Sequence, residues 1–178
     1  MVEKYKLIKD FLTKDETDIF RRYCLMKHRV DDGNMQEDDQ APLATSNYGD
    51  PAMESLMLNK KNKLEKIINL KLLPTYSYWR IYVWDQNLKD HTDRPSCEIS
   101  ITVHFGSDGK EEWPIYMGDT PIILQPGDAV VYKGCEINHK RDHYKGDWYA
   151  QAFLHYVDAN GPNQHLWKDE RAFWGTRK

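Results

Sequence analysis

The sequence predicts a mainly β fold of the α+β class, a jelly roll preceded by two supporting helices. Three observations carry this. The hydrophobic period changes from 3.6 to 2 after Pro74. From there on, short strands alternate with turns every 8–12 residues, and no helical pattern intervenes. The chain is also rich in aromatic residues that suit half-buried strand faces, with 6 Trp and 11 Tyr in 178 residues.

The helices come first. Thr13 followed by Glu16 forms a capping box. Ile19, Phe20, Tyr23 and Met26 then recur at helical spacing, which predicts an amphipathic helix over 14–27. Residues 30–51 are acidic and rich in Asn, Asp, Gly and Pro, and read as a long loop. A loop of this length in a compact domain is commonly a lid or a binding loop. A second helix is expected over 52–70. Met53, Leu56, Met57, Leu64, Ile67 and Ile68 share one face, with the Lys-rich stretch 60–63 on the other.

The strands follow. YSYWRIYVW (76–84) and CEISITVHF (97–105) are β-branched and aromatic. WPIYM (113–117) and PIILQ (121–125) are short strands, and the turn PGD (126–128) feeds AVVYKG. EINHKRDHY, the turn KGD and the strand WYAQAFLHYV (148–157) close the series. Helices ahead of strands are expected to pack on one side of the β core. The length suits one domain. Residues 1–73 would be helical support with the acidic loop, 74–158 the β core, and 159–178 a C-terminal arm.

Composition narrows the function. The net charge of −3 lacks the footprint of a dedicated nucleic-acid binder. No apolar run reaches membrane-spanning length, and the start MVEKYKLIKDF has no apolar signal segment. Cys24, Cys97 and Cys135 are scattered and odd in number, which fits a reducing, cytoplasmic setting rather than a disulfide framework.

One H-x-D triplet is present, His91-Thr92-Asp93. Alone it carries little weight, because a chain of this composition yields such a triplet by chance. Its context matters more. It lies between two strong strands, and residues i and i+2 of an extended segment share a face. A third ligand, His139, follows the PGDAVVYKG strand. Two His and one carboxylate form the facial triad of non-haem Fe(II) oxygenases, which leaves coordination positions open. His143 lies four residues on and shares the face of His139, so periodicity leaves it as a rival. His104 and His155 read as wall residues, and the tryptophans 79, 84, 113, 148 and 167 as core and wall.

These residues resemble the 2-oxoglutarate- and Fe(II)-dependent oxygenases, in their prolyl 4-hydroxylase-like branch. Tyr82 stands nine residues before His91, and His139 stands 46 after Asp93. QPGDAVVY resembles the family strand before the distal His, and NHKRDHYKGDWYAQAFLHYV its last hairpin. FLTKDETDIF resembles its first helix. The resemblance implies a double-stranded β-helix and a metal centre of His91, Asp93 and His139 holding Fe(II). It also implies 2-oxoglutarate and O₂ as cosubstrates, with ascorbate as an accessory reductant. The implied reaction is hydroxylation of a peptidyl or free amino acid such as proline.

The family places a Lys or Arg nine or ten residues after the distal His, to hold the C5 carboxylate of 2-oxoglutarate. Here those positions are Trp148 and Tyr149. Arg141 is on the strand of His139 with the same inward parity, so it is the expected partner, with Tyr82 assisting. Lys145 and Arg80 are the next candidates. A non-enzymatic cupin-like jelly roll that binds a small molecule is the alternative, although the cupin H-x-H motif is missing.

Overall fold

The computed structural model describes residues 3–29, 41 and 44–176. Its ten strands form two antiparallel sheets. They are β1 (Tyr5–Ile8), β2 (Thr45–Tyr48), β3 (Leu72–Tyr82), β4 (Leu88–His91) and β5 (Ile99–Ser107). Then come β6 (Ile115–Met117), β7 (Thr120–Ile122), β8 (Ala129–Tyr132), β9 (His139–Arg141) and β10 (Tyr149–Asp158). The larger sheet runs β1-β8-β5-β10-β3-β2, and the smaller β4-β9-β6-β7. This is the expected jelly roll.

The helices are α1 (Lys14–Arg29) and α2 (Pro51–Ile68). The predicted capping box starts α1. Glu16 N–H donates to Thr13 Oγ1 at 3.2 Å, and Thr13 N–H to Glu16 Oε2 at 2.8 Å. Asp50 caps α2 by accepting from the N–H groups of Ala52 and Met53. Asn69, left-handed at φ 53°, ends it. Met53, Met57 and Leu64 of α2 are fully buried. Burial of each such side chain contributes roughly 1.5–3 kcal/mol.

The two faces of the large sheet do different work. Trp79 and Ile81, Ile101 and Val103, Ala152 and Leu154 join the helices in the main core. The alternate residues face the smaller sheet: Tyr78, Arg80 and Tyr82 on β3, Ser100 and His104 on β5, and Gln151, Phe153 and His155 on β10. Because both faces are covered, β5 and β10 are buried almost end to end. That explains their nearly continuous apolar character in the sequence.

Several expectations need correcting. Ile19 and Met26 are exposed, because α1 turns Thr17, Phe20 and Cys24 inward instead. Lys60 is buried rather than solvated, since its ammonium reaches Glu16 of α1 at 2.5 Å. Trp84 and Trp167 are exposed, not core. Pro74 does not precede β3 but sits inside it. There it is tolerated, because β2 pairs only with Tyr78–Ile81 and leaves that edge open beside Pro74. Part of the predicted loop is strand: β2, whose polar TSNY has no apolar alternation, pairs by backbone at the sheet edge. Residues 30–40, 42 and 43, where the lid was expected, lie outside the described residues. Among the described residues, no helix is long and apolar enough to cross a membrane.

The C-terminal arm is anchored. Arg171 pairs with Glu54 of α2, both side chains being fully buried, and it also donates to Thr75 O at 3.1 Å. Removing one partner of a buried pair strands the other charge. Glu54→Ala should therefore lower stability by about 3–5 kcal/mol. A urea titration should register this as a lower midpoint at unchanged slope.

Candidate metal centre

β4 ends at His91, and β9 begins at His139; these two residues face one another across the smaller sheet. Their rings stand 4.2 Å apart between centroids. Asp93 follows β4, held there by its N–H to Gly134 O at 2.9 Å. Its Oδ1 lies 3.6 Å from His91 Nε2 and 3.5 Å from His139 Nε2. The three ligand atoms all lie within 4.8 Å of one another.

The donor set is oriented from behind. His91 Nδ1 meets Lys89 O at 2.7 Å and His139 Nδ1 meets Ile137 O at 3.2 Å. A carbonyl partner requires the proton on Nδ1, so in a neutral ring Nε2 is the bare nitrogen turned to Asp93 and is the atom that would ligate a metal, while a protonated ring donates from Nε2 to the carboxylate. The carboxylate is fixed too. Ser100 O–H donates to Asp93 Oδ2 at 2.8 Å and accepts from His155 Nδ1–H at 2.8 Å. Oδ1 is thereby left to the two imidazoles. Burial pushes the Asp93 carboxyl up, but His139 and His91 prevail and hold it well below the usual carboxylate range. Burial, reinforced by the nearby Arg94 and His139, outweighs Asp93 and Asp169 and lowers the His155 pKa to about 4.

Three supporting residues escaped the sequence reading. Ser100 and His155 form the relay just described, so His155 is a working part of the site and more than wall. Gly134 is the third: a Cβ there would clash with Asp93 Oδ2 and Cys97 O. Any side chain at 134 must displace the carboxylate. Only the later approach of these loops makes that visible.

A second candidate group, Asp93, Cys97 and His155, shares the carboxylate. Its other donors are engaged. Cys97 Sγ lies 3.0 Å from Tyr76 Oη, and burial raises its thiol well above the ordinary value. A protonated thiol is a poor ligand. Cys135 is exposed and belongs to neither group. His143 is exposed and turned to Asp85, away from the cluster.

The cluster opens into a cavity of about 310 Å³, lined by aromatic rings (Tyr76, Tyr78, Phe153), Leu88, Arg80 and Arg94. Arg94 forks onto Asp169 at 2.8 Å through both terminal nitrogens. Arg141 does not line this cavity. It is buried behind it, between the rings of Trp113 and Tyr149 at 4.5 and 4.8 Å. Its guanidinium donates to Trp113 O at 2.6 Å and Gln151 Oε1 at 2.8 Å. Among the described residues no carboxylate pairs with it, and Arg141 Nε and Gln151 Nε2 have no hydrogen-bond partner. Tyr82 is turned to Arg80, whose Nη1 donates to its hydroxyl at 2.8 Å, and not to Arg141. Lys145 is exposed. Tyr156 of β10 faces the helices and donates to Met57 O at 2.8 Å.

No family model matches the chain, and no curated protein does. Solved structures do. A Pseudomonas putida prolyl-4-hydroxylase matches with a TM-score of 0.65 and 11% identity, over 86% of this chain and 92% of that one. EctD from S. alaskensis, with 2-oxoglutarate and 5-hydroxyectoine, matches at 0.68 and 11%, over 88% and 73%. The α-ketoglutarate-dependent epimerase SnoN from nogalamycin biosynthesis matches at 0.74 and 11%, over 98% and 87%. The chain thus carries the jelly-roll fold found in solved 2-oxoglutarate- and Fe(II)-dependent oxygenases.

Proposed function

We propose that this protein is an Fe(II)- and 2-oxoglutarate-dependent dioxygenase that hydroxylates a free or peptidyl amino acid such as proline. The observation that carries the reading is the meeting of two imidazole Nε2 atoms on one oxygen of a half-buried carboxylate whose other oxygen is held by Ser100. Two imidazoles and a carboxylate suit Fe(II), and three protein donors leave room for a bidentate cosubstrate and O₂. Iron bound there supplies the redox chemistry by which O₂ oxidises a substrate C–H bond while 2-oxoglutarate goes to succinate and CO₂.

The chain's own share is binding, orientation and exclusion of water. His91, Asp93 and His139 hold the metal. Arg141 takes the C5 carboxylate of 2-oxoglutarate: it is a buried cation with an unused Nε–H, beside an unused amide of Gln151. A carboxylate is the natural mate for that fork. The site lies two residues along β9 from His139, about 6.6 Å at strand rise. The rings of Tyr76, Tyr78 and Phe153 supply apolar wall to the cavity.

The test is succinate formation from 2-oxoglutarate with Fe(II), measured against a panel of amino acids, peptides and small acids. Iron-dependent turnover stimulated by at least one compound is expected. Absence of any iron-dependent turnover would contradict the reading.

A further inference from the structure

Two oxidisable side chains touch in the wall of the metal cavity. Cys97 ends the short turn Pro95–Cys97, and Tyr76 belongs to β3. Both line the cavity together with His91, Asp93 and His139. Cys97 is 2% exposed and Tyr76 8%, so bulk solvent is kept from both. Cys97 Sγ stands 3.0 Å from Tyr76 Oη.

The contact is held from both sides. The Tyr76 ring packs against those of Tyr48 and His155, with centroids 4.8 and 4.5 Å away, and the Arg94 guanidinium lies 4.6 Å from it. Thr75, beside Tyr76, donates its hydroxyl to the carbonyl of Ser96, beside Cys97, at 2.7 Å. The sulfur is therefore kept at the hydroxyl end of the ring, the end that carries the two carbons ortho to the oxygen.

The chemistry proposed for the cavity gives this pair a role. O₂ takes up four electrons, and 2-oxoglutarate gives two on decarboxylation. A substrate C–H bond supplies the other two; with no substrate bound, they must come from the protein. S–H and phenolic O–H bonds are weaker than aliphatic C–H bonds. Tyr78 and Tyr132 also line the cavity, but their hydroxyls meet Ser46 and Thr102, which offer only alcohols. At Tyr76 the phenol meets a thiol.

We propose that Cys97 and Tyr76 are a modification site: without substrate, O₂ and 2-oxoglutarate at the metal centre join Cys97 Sγ to a Tyr76 ring carbon ortho to the hydroxyl, as a thioether. This rests on the oxygenase reading above. The S–H bond and one ring C–H bond break, and a C–S bond forms. The two hydrogens leave as water with one oxygen atom of O₂. The other oxygen atom enters succinate as CO₂ departs. The thioether ties the segment that carries Asp93 to β3.

The experiment incubates the full chain with Fe(II), 2-oxoglutarate and air, without substrate. The chain is then treated with dithiothreitol to reverse any disulfide and weighed by mass spectrometry. It should be lighter by two hydrogens and have lost one of its 3 thiols. The tryptic peptides 72–80 and 90–110 should be joined through Tyr76 and Cys97. Omitting Fe(II), 2-oxoglutarate or air should prevent the change, as should Cys97→Ala. An unchanged mass in wild-type chain that has bound iron overturns the proposal. So does a mass raised by oxygen on Cys97, the ordinary course of thiol oxidation. A cross-link that forms without 2-oxoglutarate overturns it as well. All three results come from the wild type and need no variant to fold. A wild type that binds no iron and forms no succinate contradicts the oxygenase reading itself, and this proposal falls with it.

Discussion

His139→Ala should abolish metal binding and all iron-dependent turnover while the chain remains folded. Partners in the outer shell of a metal site are typically worth about 10- to 100-fold in affinity, and a direct ligand should exceed that. The fold should survive, because the core under the helices does not include His139. What is lost is packing against the rings of Tyr132 and His91, the bond to Ile137 O and the contact with Asp93. Metal titration alongside circular dichroism separates the two effects. His143→Ala is the control. That side chain is exposed and turned to Asp85, so its loss should leave metal affinity unchanged. The reverse result, with His143 required and His139 dispensable, would move the distal ligand.

Arg141→Ala should weaken 2-oxoglutarate without weakening the metal. A charge-assisted hydrogen bond contributes about 1.5–3 kcal/mol, or roughly 10- to 150-fold. Two groups besides Arg141 face the same space: the Gln151 amide and the hydroxyl of Tyr149, 3.5 Å from Arg141 Nη2. They should retain a residual affinity. Arg141→Lys should recover only part, since lysine lacks the planar fork. Cosubstrate affinity measured with Mn(II) under nitrogen reads this directly. If Arg141→Ala binds 2-oxoglutarate as well as the wild type, the anchor lies elsewhere and Arg80 becomes the first alternative.

Strand parity made much of the site region legible. Period-2 patterning predicted β3, β5, β8 and β10, and the parity of β9 correctly turned Arg141 inward with His139. The triplet of His91 and Asp93 drew its weight from the strands on either side. Other features had no local signal. β1, β2 and β4 are four-residue segments whose pairing is set by distant strands, and a few residues carry too little periodicity to reveal them. The cap on α1 was readable, but its inward face was not: Ile19 and Met26 are as apolar as Phe20, and only tertiary contact decides between them. The Ser100–His155 relay joins residues 55 apart across two paired strands. Gly134 matters only because Asp93 and Cys97 fold against it. The arm after β10 was equally opaque. Its course is set by three consecutive left-handed residues, Lys168, Asp169 and Glu170, and by the pairing of Asp169 with Arg94. Such conformations cost about 1–3 kcal/mol each and persist because surrounding contacts impose them.

The central claim is that His91, Asp93 and His139 hold an iron on which 2-oxoglutarate can chelate. Anaerobic titration tests it most directly: Fe(II) is added to the full chain, then 2-oxoglutarate, while the visible charge-transfer absorption of a 2-oxo acid on Fe(II) is followed. The account predicts one Fe(II) per chain and an absorption band that saturates with 2-oxoglutarate, both lost in His91→Ala, Asp93→Ala and His139→Ala. An unbound Fe(II), or a band that persists when any of these three residues is removed, would contradict it.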